Sequence, residues 1–201
     1  NNVRGAGQIG HGQIFDDIAD YIEVDGAAED ADATQGTISA WVELNATGSQ
    51  STLFSVFADA NNEINLKWTD SSDELRARYT ASGVQTNVLL NDAAVFADGD
   101  GEKHLVTMTW DAGAGVDGEL KLFVDGSQVG GTGTVFGTWT GDISTAVASI
   151  GANGFTRGNE FDGMIDEVRI SDTARSADWI KASWLSQNGS FAFTVFGPEE
   201  A

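Results

Sequence analysis

The sequence contains no cysteine and only one proline among its 201 residues. The absence of cysteine excludes disulfide bonds, thiolate nucleophiles and cysteine-based zinc sites. It does not exclude secretion, because a chain of this length can bury a stable core without covalent cross-links. The lack of proline beside 25 glycines indicates many tight turns built on glycine and Asx residues, which is typical of short, closely spaced strands.

Positive charge is also scarce, with 10 Lys and Arg against 31 Asp and Glu and a formal net charge of −21. Such a surface repels phosphate, so we expect neither nucleic acid nor an anionic membrane as a partner. No apolar run approaches the ~20 residues of a membrane span, and we expect no membrane insertion. The acidic surface fits either solubility in a salty or calcium-rich medium or specific metal binding.

Period-two alternation in short runs is the main pattern that is present. The run "TISAWVEL", for example, places Ile38, Ala40, Val42 and Leu44 on one face. About a dozen such runs are separated by Gly, Asn and Asp, and an Asp-Gly turn is predicted at Asp125-Gly126. The pattern predicts an all-β antiparallel sandwich. No linker or composition break interrupts it, so we predict a single domain over residues 1–201.

One helix is predicted near the end of the chain. Ser176 can cap it, and "ADWIKASWLSQ" follows with good helix formers. Ile180 and Trp184 share a face that can dock on a sheet, and Trp179 is also expected to pack the helix down. Asn188-Gly189 is predicted to end the helix.

The order of several stretches resembles a known family. The stretches are "GQIGHGQIFDDIADYIEV", "GTISAWVEL", "KHLVTMTWD", "LKLFVDGSQVG" and "FDGMIDEVRISDTARSADWI". Together they resemble the laminin-G-like branch of the concanavalin A-like lectin/glucanase superfamily, in its bacterial form. The resemblance implies a two-sheet antiparallel jelly-roll sandwich, a secreted or cell-surface location, frequent calcium binding and, in many members, glycan binding. The tryptophan that usually precedes paired histidines in this family is absent, since "GEKHLV" keeps only His104.

Asp166 is a carboxylate in the middle of the last predicted strand. Alternation in "GMIDEVRI" assigns one side of that strand to the core, with residues Met164, Asp166, Val168 and Ile170. A buried carboxylate needs hydrogen-bond donors or a cation, and calcium takes oxygen ligands.

The family resemblance implies that Asp166 binds a structural calcium ion together with the turn from Asp16 to Asp20. The predicted metal ligands are therefore Asp166, Asp16, Asp17 and Asp20. The alternative is that Asp166 accepts backbone N–H bonds without a metal, while the turn acids form Asx turns.

No catalytic residue is predicted. The glucanases of this superfamily carry Glu-x-Asp-x-x-Glu on one strand, so that all three acids point the same way, and this sequence has no such spacing. Alternation puts Asp166 and Glu167 on opposite faces, and Glu167 is expected to form an ion pair on the Arg169 side.

Rings and amides near turns are the candidate ligand-binding residues, because sugars stack on exposed aromatic rings and hydrogen-bond to polar side chains. The candidates are Trp68, Tyr79 and Trp139, with Asn153, Arg157 and Asn159 in the loop "NGFTRGNE". Packing in the core is the alternative for each ring.

The sequence therefore predicts a non-catalytic extracellular recognition or adhesion module that binds a glycan or surface polymer and uses calcium. The alternative is a structural subunit of a self-assembling surface layer or filament. It would form a homo-oligomer through the C-terminal run "SFAFTVF", which could add a strand to a neighbouring sheet. A glycoside hydrolase is disfavoured by the missing acid triplet.

Overall fold

The computed structural model describes residues 3–24, 32–45, 50–69 and 72–189. These residues form short strands, a 3-10 turn (Ile143–Thr145) and a helix α1 (Ala177–Gln187). The strands are β1 (Val3–Ala6), β2 (His11–Asp16), β3 (Ile22–Glu23), β4 (Gln35–Leu44), β5 (Ser51–Asp59), β6 (Asn62–Thr69), β7 (Glu74–Ala81), β8 (Val84–Leu90), β9 (His104–Asp111), β10 (Glu119–Val124), β11 (Ser127–Gly133), β12 (Val147–Ile150) and β13 (Asp162–Ser171).

The strands form two antiparallel sheets that pack face to face. The seven-stranded sheet has the order β1-β2-β13-β4-β9-β10-β11, and the six-stranded sheet has the order β3-β12-β5-β6-β7-β8. One hydrophobic cluster fills the space between them, with contributions from both sheets. The structure confirms the predicted all-β jelly-roll sandwich with one short C-terminal helix.

Alternation sorts the side chains of β6 as the sequence indicates. Ile64, Leu66 and Trp68 belong to the core, while Asn65 and Lys67 point to the outer face of the six-stranded sheet. The predicted turn at Asp125-Gly126 is also present, with φ angles of 51° and 72° that suit a tight hairpin.

Strand β13 departs from the predicted alternation. Its register with β4 shifts between Asp166 and Arg169, and Glu167 has a φ of 51°. This bulge reverses the two faces. Ile165 faces the core before it and Val168 after it. The assignment of Asp166 to the core face was therefore wrong, and its side chain lies on the outer face of the seven-stranded sheet.

Helix α1 lies against that outer face. Ser176 caps it by accepting a hydrogen bond from the backbone N–H of Trp179, as predicted. Ile180 is buried, and Trp41 Nε1 donates a 2.8 Å hydrogen bond to Gln187 Oε1. Trp179 does not pack the helix down as expected, because 40% of it is exposed.

No helix in the described part of the chain has the length and apolarity needed to cross a bilayer. The run "SFAFTVF" falls within residues 190–201 and lies outside the described residues. Self-assembly through this run, and a single domain over residues 1–201, therefore stay predictions.

Candidate functional site

The aromatic platform predicted at Trp68 and Tyr79 is wrong, because both side chains lie in the core. Trp68 is 2% exposed and Tyr79 is fully buried, since both belong to the inward-facing sets of β6 and β7. The Tyr79 hydroxyl donates a 2.8 Å hydrogen bond to the Ala33 carbonyl. Burial, with a smaller contribution from Asp32, raises the pKa of Tyr79 to about 12. Trp139 is half-buried, 5.8 Å from the Tyr79 ring.

The predicted metal ligands do not come together. Asp16 pairs with Asp162 across β2 and β13, so Asp166 lies four residues further along β13 from the Asp16–Asp20 turn. Four residues of extended strand span about 13 Å, too far for one calcium ion to bridge with ligands at about 2.4 Å. The combined site of Asp166 with the Asp16–Asp20 turn is therefore wrong.

Asp166 instead anchors the hairpin between β1 and β2. Its Oδ2 accepts a 3.0 Å hydrogen bond from the Ile9 backbone N–H, and its Oδ1 accepts one of 2.9 Å from Glu167. A side chain at Gly7 would collide with this carboxylate, since its Cβ would lie 2.4 Å from Asp166 Oδ2. This is the backbone-accepting role that was the alternative to metal binding.

The Asp16–Asp20 turn also shows the alternative geometry, because Asp16 Oδ1 accepts a 3.2 Å hydrogen bond from the Ile18 backbone N–H as in an Asx turn. Over the described ranges, no three His, Cys, Asp or Glu side chains cluster in a way that could hold a metal ion. The predicted acids do not fit calcium as one set, and calcium binding itself stays a prediction.

The outer surface of the six-stranded sheet carries a group of cations that the sequence analysis missed. Lys67, Arg76 and Arg78 lie on β6 and β7, with Lys67 directly opposite Arg76. Asn65 lies opposite Arg78, which in turn lies opposite Asn87 of β8. We call these five residues the basic face. Three of the chain's ten Lys and Arg residues are on this one surface, although the protein is strongly acidic.

Two of these cations have only neutral hydrogen-bond partners. Lys67 Nζ donates to Gln50 Oε1 at 3.1 Å, and Arg78 Nε donates to Asn87 Oδ1 at 2.9 Å. Arg76, in contrast, forms an ion pair with Glu74. Lys67 and Arg78 therefore keep positive charge that no paired carboxylate neutralises within the described residues.

The electrostatics of the basic face reflect this crowding. Burial lowers the pKa of Lys67, and the neighbouring charges of Arg78 and Arg76 lower it further. The pKa of Arg78 is also lowered, first by burial and then by Arg76. Glu63 opposes both shifts without cancelling them. An anion bound between Lys67 and Arg78 would relieve this repulsion.

Unsatisfied polar atoms lie beside these cations. Asn65 is 2% exposed, and its Oδ1 has no hydrogen-bond partner among the described residues. The hydroxyls of Thr52 and Thr69 are buried without partners as well. Thr52 lies directly opposite Lys67, and Thr69 follows the outward-facing set of β6. Such atoms cost free energy unless a polar molecule bonds to them.

The predicted loop residues lie at the β12 and β3 side of this surface. Asn153 Nδ2 donates a 3.3 Å hydrogen bond to Glu63 Oε1. Arg157 Nη2 forms a 2.6 Å ion pair with Glu23, and its guanidinium lies 5.0 Å from the centre of the Tyr21 ring. Asn159 is exposed, and its backbone carbonyl accepts a 2.8 Å hydrogen bond from the Thr52 backbone N–H. The structure thus brings Asn153 to Glu63 at the border of the basic face and Arg157 to the β3 edge of the same sheet, apart from the predicted rings.

The sequence contained a signal for the basic face. The runs "EINLKWT" and "ELRARYT" form a predicted hairpin; the first carries Lys67, and the second carries Arg76 and Arg78 at alternate positions. In a chain with few cations, three of them on one face of one hairpin are a stronger indication of a site than a tryptophan near a turn.

The comparisons with known proteins agree with the fold. Residues 16–181 match the family model described as the concanavalin A-like lectin/glucanases superfamily. No sequence among the curated proteins matches the chain.

Several solved structures have the same fold. Domain 4 of AbnA, an extracellular arabinanase from Geobacillus stearothermophilus in complex with arabinotriose, aligns with a TM-score of 0.64 and 20% identity over 90% of this chain and 80% of that one. The CBM40 of a Ruminococcus gnavus IT-sialidase, bound to α2,3-sialyllactose, aligns with a TM-score of 0.61 and 18% identity over 88% and 98%. NanB sialidase from Streptococcus pneumoniae aligns with a TM-score of 0.64 and 17% identity. The alignment covers 83% of this chain but only 26% of the sialidase chain.

Proposed function

Because the chain belongs to the concanavalin A-like lectin/glucanase superfamily, we propose that it is a non-catalytic extracellular recognition module that binds carboxylate-bearing glycans on its basic face. Fold membership alone does not assign a ligand, since this fold supports many functions. The proposal is therefore based on the chemistry of Asn65, Lys67 and Arg78.

The main support is a cation pair without carboxylate partners beside a buried, unpartnered acceptor. Lys67 and Arg78 offer charged donors, which suit a carboxylate. Asn65 Oδ1 is buried and has no hydrogen-bond partner among the described residues, so a sugar hydroxyl donates to it only when a covering side chain moves aside. A sugar acid carries both groups on one ring, whereas an inorganic anion supplies no matching hydroxyl array.

The structural neighbours make a glycan a reasonable ligand class. One neighbour was solved with arabinotriose and another with α2,3-sialyllactose. The second of these ligands carries a carboxylate.

The net charge of −21 narrows the proposed ligand further. At physiological salt, charges more than about 8 Å apart are largely screened, so acids beyond that distance have little effect on one carboxylate held by Lys67 and Arg78. Glu63 is the nearby acid that acts on both cations, and it opposes binding of a carboxylate there. A long polyanion passes over the acidic remainder of the surface and is repelled. The basic face is therefore suited to an isolated sugar acid, such as a glycan terminus.

The acids of β13 support a role without catalysis. Asp166 is bound by two backbone N–H groups, and Glu167 forms a 2.7 Å ion pair with Arg169. Neither is arranged as the free acid and base that glycoside hydrolysis requires.

The test compares sialyllactose with lactose, which lacks the carboxylate. We expect isothermal titration calorimetry to show binding of sialyllactose at least about tenfold tighter than that of lactose. Arg78→Gln and Lys67→Gln should each remove most of this preference, whereas Arg4→Gln on the exposed edge strand β1 should leave it unchanged. Equal binding of the two sugars, or undiminished preference in Arg78→Gln, would refute the proposal. The proposal would also be refuted if the protein bound neither sialyllactose nor galacturonate oligosaccharides.

A further inference from the structure

A groove lies on the opposite sheet, between the start of α1 and strands β4 and β13. Its volume is about 320 Å³, and its lining includes Thr37, Ser39, Arg169, Arg175 and Trp179. We call it the Arg175 groove. It is separated from the basic face by the whole hydrophobic core, because the two surfaces are the outer faces of different sheets.

The backbone of this groove is held in place by one threonine. Thr37 Oγ1 accepts a 2.9 Å hydrogen bond from the Arg175 N–H and donates one of 2.7 Å to the Thr173 carbonyl. Thr37 is itself buried on β4. The Arg175 side chain therefore projects from a backbone position that is fixed by Thr37, immediately before the helix cap at Ser176.

Arg175 keeps its charge without a carboxylate partner among the described residues. Its guanidinium carbon lies 4.9 Å from the centre of the Trp179 ring, and its Nε is buried without a hydrogen-bond partner. The neighbouring Arg169 differs, because it forms a 2.7 Å ion pair with Glu167. Arg175 lines the groove, so the groove offers a charged group that no carboxylate pairs with among the described residues.

Trp179 adds an aromatic surface beside this donor. It is 40% exposed, whereas the next residue of the helix, Ile180, is buried. Three of the six tryptophans, Trp41, Trp68 and Trp110, are at most 2% exposed. An exposed ring beside an unpaired guanidinium favours a ligand that has both an apolar C–H face and an anionic group.

We propose that the Arg175 groove is a second binding site, which takes the carboxylate of a single sugar acid on Arg175 and its ring against Trp179. The ligand contacts are independent of those on the basic face, so the sialyllactose titrations of Lys67→Gln and Arg78→Gln are made in an Arg175→Gln background, in which only the basic face keeps its cations. With both sites occupied, one molecule would hold two acidic glycan chains on opposite sides.

Titration with galacturonate, followed by NMR of the tryptophan indole N–H signals, tests this site. We expect the Trp179 signal, assigned through its loss in Trp179→Phe, to shift with galacturonate and not with galactose. Arg175→Gln should weaken this response by about tenfold or more, because a hydrogen bond to a charged group is lost. Arg175→Lys should retain part of it.

Two controls separate this result from the basic face and from misfolding. Arg78→Gln should leave the Trp179 response unchanged, and the indole signals of the buried Trp68 and Trp110 should stay in place in Arg175→Gln. An unmoved Trp179 signal would overturn the proposal. So would an equal shift with galactose, or a full response in a folded Arg175→Gln. Loss of the Trp179 response in Arg78→Gln would mean that the Trp179 signal reports binding at the basic face, which would also overturn the proposal.

Discussion

The outer faces of the two sheets follow the same alternation but differ in what covers them. On the six-stranded sheet, the outward positions of β6 and β7 carry Asn65, Lys67 and Arg78. On the seven-stranded sheet, the outward positions include Trp41 and Phe123, which are 2% and 1% exposed. The difference arises because α1 and the turn of the β1–β2 hairpin lie against the second face.

This difference shows what alternation can and cannot indicate. It separates the two faces of a strand, but an outward face can be open to solvent or covered by another element. Trp68 and Trp41 are both buried, the first between the sheets and the second under α1, where its Nε1 bonds to Gln187. Trp179 stays 40% exposed, because it lines the open Arg175 groove instead of lying beneath another element.

The largest predicted effect compares Trp68 with Trp179. Trp68→Ala should lower the free energy of unfolding by about 3–5 kcal/mol, because it empties a fully packed core position. Trp179→Ala should lower it by less than about 1 kcal/mol, because the ring is partly exposed. Urea unfolding of both variants measures the difference, with Trp179→Phe as a control for the loss of aromatic area. Similar losses in the two alanine variants would contradict the assignment of Trp68 to the core.

The second prediction concerns Asp166 and the hairpin that it holds. Asp166→Asn should lower the free energy of unfolding by about 1–3 kcal/mol, since the amide cannot accept both backbone N–H bonds. The loss should be equal in calcium and in chelator, because Asp166 is remote from the other predicted ligands. Scanning calorimetry in both buffers checks this, with Asp162→Asn as the matched variant on β13. A loss confined to the calcium buffer would restore Asp166 as a metal ligand.

Most of the fold could be predicted from the sequence. Short alternating runs, the Asp125-Gly126 turn and the capped helix at Ser176 are local signals, and each formed as expected. The bulge at Glu167 could not be predicted in the same way. It requires a positive φ at a residue that is not glycine, and only the packing of β13 between β2 and β4 imposes it.

The candidate site was less predictable, because it depends on which strands become neighbours. Tyr79 was expected beside Trp68 at the surface, and the two strands do pair, but both rings point inward. Of the predicted loop residues, the fold brings Asn153 to the border of the basic face and Arg157 to the β3 edge. The sequence marks Arg78 only by its alternation with Arg76, and its pairing with Asn65 and Asn87 follows from the sheet order.

The third prediction tests whether the basic face sacrifices stability for binding. The folded state lowers the pKa of Lys67, so it holds that proton less tightly than the unfolded chain does. This costs stability at neutral pH, and the cost fades as the pH rises through the lowered pKa. Lys67→Gln should therefore increase the free energy of unfolding, on the order of 0.5 kcal/mol, while weakening sialyllactose binding.

Urea unfolding and calorimetry of the same Lys67→Gln preparation measure both quantities. Arg4→Gln serves as the control, because it removes a cation from an exposed edge strand. A variant that loses stability as well as binding would show that Lys67 has a structural role and that the repulsion is unimportant.

The smallest predicted effect concerns His104, the first residue of β9. Its Nδ1 lies 2.8 Å from Asp125 Oδ2 and its Nε2 lies 3.4 Å from Asp100 Oδ2. The hydrogen bond with Asp125 is the main cause that raises the pKa of His104 above 6.5, against the opposing effect of burial. The folded state therefore holds this proton more tightly than the unfolded chain. The resulting stability is fully present below pH 6.5 and is lost as the pH rises through the folded pKa.

His104→Gln should be less stable than the wild type at about pH 5.5 and should differ less from it at about pH 8.5, as measured by urea unfolding. His11→Gln is the matched control, because it removes the only other histidine. A difference that is larger at the higher pH would show that the proton on His104 does not stabilise the contact with Asp125.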